Sequence, residues 1–266
     1  MNVLDSFSCK GKVALVTGAG HKGGYGAQIS EALYEAGATV YVASRNREKL
    51  EAFASRFPGM KTSVLDLSDD KSISSCVETI LQAEGRLDIL VNNAVLRCAL
   101  EKWDLPMETY DESFHTNASG LFRITRLAAE AMRKQRSGSI INIASYMGML
   151  GLDAANYAGT GMQTDSDVLP SPAYHYEKGG VINFTRWAAS VLGKFNIRVN
   201  SVSLVGYCAE WEKNPSVFTR NHAACPLLGR LCNSTDLKGG IVYLASDASL
   251  FVTGTNLVID GGYSAK

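Results

Sequence analysis

Lys12-Val-Ala-Leu-Val-Thr-Gly-Ala-Gly-His-Lys-Gly-Gly-Tyr-Gly26 is the stretch from which the fold can be read. An apolar run that ends at glycine reads as a short parallel strand buried on both faces. After the glycines, Ile29, Ala32, Leu33 and Ala36 recur at helical spacing, and Gly37 serves as the stop. Strand, glycine-rich turn and helix in that order let backbone N–H groups and the positive helix end approach a pyrophosphate. Gly18, Gly24, Tyr25 and Gly26 are therefore candidate dinucleotide contacts. His21 and Lys22 either add positive charge to the turn or face solvent.

The same alternation continues outward. Thr39-Val-Tyr-Val-Ala43, Lys61 to Leu67, Leu87 to Ala94, Gly138 to Ser145, Ile197 to Ser203 and Asn256 to Asp260 read as six further strands. Helical patterns fall between them, one of them capped by Asp69 or Ser72 and a long one around Tyr110 to Arg133. Glu210 to Cys232 reads as irregular or short-helical. The chain is predicted to be α/β: one doubly wound, Rossmann-like parallel sheet of about seven strands, with helices on both faces. A single domain over 1–266 is expected, because no repeat or Pro/Ser-rich linker interrupts the pattern. Ligands bind such sheets at the carboxyl ends of the strands. Gly18, Ala43-Ser44, Asp66, Asn93, Ser145 and Ser203 are therefore expected to line one crevice.

The second strand end bears on the cofactor. An NAD-binding turn usually has Asp or Glu there, about 20 residues on, for the ribose 2′-hydroxyl. This chain has Ser44-Arg45 instead. A guanidinium fork suits a 2′-phosphate that a carboxylate would repel, so NADP(H) is expected in preference to NAD(H). The alternative is that Arg45 only solvates a helix start.

Proton chemistry is suggested by Ala173-Tyr-His-Tyr-Glu-Lys178, which opens a long apolar helical run. Residues four apart share a helix face, so Tyr174 and Lys178 point into one pocket. A cation about 4 Å from the phenol, at an effective dielectric of ~20, favours phenolate by ~4 kcal/mol, roughly three pKa units. That would bring the phenol near neutrality, where general acid–base catalysis works best. Tyr157 and Tyr176 are followed four residues later by glycine, and Tyr41 and Arg45 lie on a strand. His175 reads as a packing or surface residue.

Composition narrows the classes. Lys+Arg and Asp+Glu are both 26, so zero formal charge argues against a dedicated nucleic-acid or membrane-surface binder. No run approaches the ~18 apolar residues of a membrane span, and the N-terminus lacks a signal-peptide core. The six cysteines form no Cys-x-x-Cys pair and have no His-rich neighbourhood, so no metal site is predicted. A cytoplasmic location with reduced thiols is expected.

Thr17-Gly18 with Gly24-Tyr-Gly26, Asn92-Asn-Ala94, Asn117, Ser145, Tyr174-x-x-x-Lys178 and Thr253-Gly-Thr-Asn-Leu-Val-Ile-Asp-Gly-Gly262 together resemble the short-chain dehydrogenase/reductase family, in order and over nearly the whole chain. The resemblance implies that Tyr174 gives or takes the hydroxyl proton. Lys178 would lower its pKa and bind the nicotinamide ribose. Ser145 would hydrogen-bond the substrate oxygen as charge develops there, and Asn117 would hold a relay water. Asn93 would support the adenosine-side strand, and Asp66-Leu67 would meet the adenine. For Ser145 the alternative is a serine bonding its own turn, for Asn117 a kink satisfied by backbone, and for Asp66 a turn former.

The chain also departs from the family pattern. Thr17 to Gly24 spans seven positions (24 − 17) where the family usually has five. Val95 replaces a glycine, Leu204-Val205 a Pro-Gly, and Ala209 a threonine. Ser145 to Tyr174 spans 29 positions (174 − 145), about twice the family's habit. The resulting insertion, about 150–173, is expected to form a pocket wall or lid with a region about 205–232. Its polar side chains suggest a sugar, polyol or other hydroxylated substrate.

The expected activity is NADP(H)-dependent hydride transfer between nicotinamide and a ketone or secondary alcohol, by a homotetramer. The rivals are an epimerase or dehydratase using transient oxidation, and a non-catalytic dinucleotide-binding regulator.

Overall fold

A computed structural model describes residues 2–21, 23–100, 102–161, 170–206 and 215–266. Lys22, Ala209 and most of the polar insertion residues fall outside these ranges. Seven parallel strands form one sheet: β1 (Val13–Thr17), β2 (Thr39–Ser44), β3 (Lys61–Val64), β4 (Ile89–Asn92), β5 (Gly138–Ser145), β6 (Ile197–Leu204) and β7 (Asn256–Ile259). Their order is β3-β2-β1-β4-β5-β6-β7. The direction of winding reverses between β1 and β4, which opens a crevice at their carboxyl ends.

Alternation along each strand assigns its side chains to two cores. Ala14 and Val16 of β1 join Val40 and Val42 of β2 on one face, under α1 (Tyr25–Glu35), α2 (Arg47–Ala54) and α8 (Lys238–Ala245). Val13 and Leu15 join Tyr41 and Ala43 on the other, under α3 (Asp70–Glu84), α5 (Leu121–Gln135) and α6 (Ala173–Leu192). Leu15, Ile29, Ile80 and Ile124 are fully buried. Truncating such a side chain to alanine removes roughly 2–5 kcal/mol. The remaining helices are α4 (Met107–Phe114) and α7 (Val217–Ala224).

The element ends explain where the sequence pattern misleads. β3 stops at Val64 because only Tyr41 to Ser44 are available for pairing; Leu65 makes one more bond to the Ser44 carbonyl and the chain then turns. Asp69 caps α3 by accepting from the Lys71 amide, whereas Ser72 accepts from the Asp66 amide. The long helix predicted over Tyr110 to Arg133 is α4 and α5 joined by a π turn at His115–Gly120. β6 runs one residue further than predicted. Ser203 is fully buried and donates to Asn256, so it does not reach the crevice; Leu204 does.

A polar strut crosses the centre of the sheet. Asn92 on β4 donates to Thr125 of α5 (2.9 Å) and to Asn142 of β5 (2.8 Å). Asn142 donates to Thr185 of α6 (2.9 Å), whose hydroxyl donates back to the Val181 carbonyl.

Candidate active site

A cleft of about 830 Å³ opens at the carboxyl ends of the strands. Every cofactor or catalytic candidate named above lines it except Asn117, which lies behind its wall.

The glycine turn is built for close approach. Gly18 has φ +70°, and a Cβ there would stand 2.6 Å from the Ala94 Cα. A Cβ on Gly26 would lie 2.5 Å from the Gly18 carbonyl oxygen and 2.8 Å from the Asn93 amide nitrogen. Asn93 pins the turn by donating to the carbonyls of Thr17 (2.9 Å) and Gly18 (3.2 Å). No side chain caps α1, so its positive end is left facing the cleft at Gly24 to Gly26. This bare cradle, too tight for any Cβ at residue 26, fits a dinucleotide pyrophosphate. His21 folds back, its Nδ1 accepting from the Gly23 amide (3.2 Å). The Tyr25 hydroxyl donates to the Val205 carbonyl and ties the turn to the segment after β6.

Ser44 ends β2, and Arg45 stands exposed on the rim of the cleft. Asp66 forms a local turn, its Oδ1 accepting from the Ser68 amide (2.9 Å) and hydroxyl (2.7 Å). Burial alone would raise this carboxyl, but the Ser68 donors and the Arg45 guanidinium outweigh it and hold it below the usual range. Leu67 reaches the cleft beside Gly120, where any side chain would collide with the Leu67 carbonyl.

Ser145, Tyr174 and Lys178 converge from β5 and α6. Ser145 Oγ accepts from the Met147 amide (3.2 Å), which leaves its O–H free to donate. Lys178 is buried; its Nζ donates to the Ile143 carbonyl (2.7 Å) and sits 5.5 Å from the Tyr174 ring centroid. One Lys donor is used in that bond and two remain for other partners. The short helical turn Tyr146–Gly148 packs against this point. A Cβ on Gly148 would fall 2.5 Å from the Lys178 carbonyl carbon, so the turn and α6 touch backbone to backbone.

The Asn117 side chain is committed within the protein. Its Oδ1 accepts from the Leu96 amide (2.7 Å), and its Nδ2 donates to the Leu96 carbonyl (2.8 Å) and to Glu177 (2.9 Å). The neighbouring Thr116 lines the cleft.

Another part of the cleft is lined by Tyr146, Phe218 and His222, side chains that sequence reasoning did not single out. Tyr157 from the insertion stacks edge-on with Phe218 of α7 (5.4 Å), and Asn221 donates to the Ala158 carbonyl (2.8 Å). His222 lies buried among Tyr146, Phe218 and Tyr263. Burial pushes its pKa down to about 4, so the ring is neutral at physiological pH. Among the described residues its Nε2 has no hydrogen-bond partner. Tyr263 donates to Asp153 (2.6 Å) and accepts from Asn156 (3.0 Å), tying the end of the chain to the insertion. That bond, first among the causes, holds the Asp153 carboxyl down. Phe218, His222 and Tyr263 belong to no local motif that would have marked them individually in the sequence. His175, read as packing or surface, is half-buried on the cleft wall. No cluster of metal-ligating side chains occurs among the described residues.

A family model described as Enoyl-(Acyl carrier protein) reductase matches residues 18–264. The chain is 34% identical over 262 residues to cyclopentanol dehydrogenase from Comamonas sp. (strain NCIMB 9872), covering 96% of this chain and 98% of that protein. A crystal structure of a short-chain type dehydrogenase/reductase from Mycobacterium marinum superposes with TM-score 0.84 at 31% identity, covering all of both chains. A gluconate 5-dehydrogenase from Burkholderia cenocepacia J2315, in complex with NADP and tartrate, superposes with TM-score 0.85 at 25% identity over both whole chains.

Proposed function

Since the chain belongs to the short-chain dehydrogenase/reductase family of oxidoreductases, we propose that it interconverts a secondary alcohol and a ketone with NADP(H), on a small hydroxylated substrate such as a sugar or polyol. The observation that supports this best is the convergence of Ser145, Tyr174 and Lys178 on the cleft that also holds the glycine cradle. The bound nicotinamide supplies the hydride acceptor or donor.

The protein does the rest. The Tyr174 hydroxyl exchanges a proton with the substrate oxygen, and the Ser145 O–H donates to that oxygen as its charge rises. Lys178 holds its ammonium against the Tyr174 ring, with two donors left for the nicotinamide ribose. With its side chain committed to Leu96 and Glu177, Asn117 is left its main-chain carbonyl to hold a relay water. Arg45 at the end of β2, with no acid at that position, favours a 2′-phosphate. Gly18, His21, Gly24, Tyr25, Gly26, Ser44, Asp66, Leu67 and Asn93 shape the rest of the cofactor half. The insertion and α7 wall the substrate half, where neutral His222 suits a hydroxyl better than a carboxylate.

We assign a homotetramer in the cytoplasm. Phe122 (49% exposed) on α5 and Trp187 (61%) on α6 flank Phe184 in one exposed aromatic surface, and apolar area of this kind suits burial against another subunit. Among the described residues no helix is long and apolar enough to cross a membrane. A panel of alcohols and carbonyls followed at the NADPH absorbance band tests the activity. Absence of turnover across hydroxylated and cyclic secondary alcohols, with NADPH bound, would remove it.

A further inference from the structure

We propose that Glu177 is a positioning residue for proton transfer: its buried carboxylate clamps Asn117, and with it the π turn, onto the helix that carries Tyr174 and Lys178. Glu177 is 7% exposed. Its Oε1 accepts from the Ser113 hydroxyl on α4 (2.6 Å) and its Oε2 from the Asn117 amide (2.9 Å). The same amide nitrogen reaches Ser113 Oγ (3.2 Å), closing a ring of Glu177, Ser113 and Asn117, and it also reaches the Leu96 carbonyl outside that ring. Two segments, α4 and the π turn, thus meet at one carboxylate, and Asn117 ties the loop after β4 to them through Leu96. A π turn loosens the helical ladder, so the main-chain position of Asn117 depends on what holds its side chain.

The ionised form gives the strongest clamp. Both oxygens accept, and an amide nitrogen cannot take a proton in return. Lys178 on the same helix stabilises the carboxylate, and the Cys98 thiol and Glu112 face the cluster from the neighbouring loop and α4. Burial is the largest influence and pushes the Glu177 carboxyl up, against the opposing help of Ser113, Asn117 and Lys178. Protonation therefore begins at a higher pH than for an ordinary glutamate. When it occurs, the Ser113 bond reverses and the bond from Asn117 is weakened, because its acceptor is no longer charged.

The role presupposes the proton transfer proposed at Tyr174, and the test separates the two. The full-length protein is compared with Glu177→Gln and Glu177→Ala. Wild type should show an acid limb in kcat, and Glu177→Gln, which keeps the shape but does not titrate, should lose it. Glu177→Ala should lower kcat by about tenfold or more at every pH, with KM and dinucleotide affinity nearly unchanged. In protein without substrate or cofactor, hydrogen exchange at the Leu96 amide, which donates to Asn117, should accelerate strongly in Glu177→Ala and less in Glu177→Gln.

An acid limb that persists in Glu177→Gln overturns the proposal. So does a Glu177→Ala protein with unchanged kcat, or one that loses dinucleotide affinity in parallel with kcat. If Glu177→Ala does not fold, the pH profile of Glu177→Gln decides alone. If wild type turns over nothing, the oxidoreductase reading fails, and Leu96 exchange still decides whether Glu177 holds Asn117.

Discussion

Replacing Arg45 by alanine tests the cofactor assignment at its weakest-defended point. A hydrogen bond to a charged group contributes about 1.5–3 kcal/mol. Arg45 stands exposed at the cleft rim, where water screens it, so the lower part of that range applies. A loss of about 1.5–2 kcal/mol corresponds to roughly 12- to 30-fold weaker NADPH binding. NADH carries no 2′-phosphate and should bind almost as before. The screening argument adds a second expectation. The Debye length falls from about 30 Å at 0.01 M salt to about 8 Å at 0.15 M. The wild-type preference for NADPH should therefore shrink as salt rises, and the variant's should not. Removing the guanidinium also takes away one of the influences that keep Asp66 ionised, so its carboxyl should titrate higher. Dissociation constants for both dinucleotides, from protein fluorescence quenching at two salt concentrations, give the result directly. Equal weakening of NADPH and NADH, or no weakening of either, would refute the 2′-phosphate assignment.

Tyr174→Phe should lower turnover by roughly 10²–10⁴-fold with NADPH affinity nearly intact; loss of the folded signal in circular dichroism would instead mark the tyrosine as structural. Gly26→Ala places a Cβ 2.5 Å from the Gly18 carbonyl oxygen; this overpacking should remove about 1–3 kcal/mol of stability, and calorimetric titration should show both dinucleotides weakened together. Gly148→Ala pushes on the backbone at Lys178 and should reduce kcat more than dinucleotide affinity, as steady-state kinetics can establish. His222 binds its proton less readily folded, at about 4, than unfolded, at about 6.5. Stability should consequently fall as pH drops from 6.5 to 4, by up to about 3 kcal/mol, and urea unfolding of His222→Phe should lack that slope.

The architecture was legible because two signals are local. A glycine after Val13–Thr17 and apolar runs of strand length do not depend on distant partners, and neither does Asp69 or Gly37 at a helix end. The four-residue offset of Tyr174 and Lys178 needed only a helix, and one is present. What escaped was set by contacts far apart in the chain. Glu177 carried no signal of its own, because nothing near it in sequence announces Ser113 and Asn117, which are 64 and 60 residues away. Tyr263 likewise carried no signal, because Asp153, which accepts its hydrogen bond, lies 110 residues earlier. Leu65 to Leu67 continued an apolar pattern that only the length of β2 could end.

The chain of Thr125, Asn92, Asn142 and Thr185 has a bearing on how the enzyme tolerates change. Greasy surfaces can slide past one another by an ångström with little penalty, whereas these four side chains lock at a single spacing. They act as dowels between α5, two central strands and α6, and α6 is the helix that carries Tyr174 and Lys178. Exchanging all four for aliphatic groups of similar volume should leave a protein that melts no earlier, yet holds its reactive groups less sharply in place.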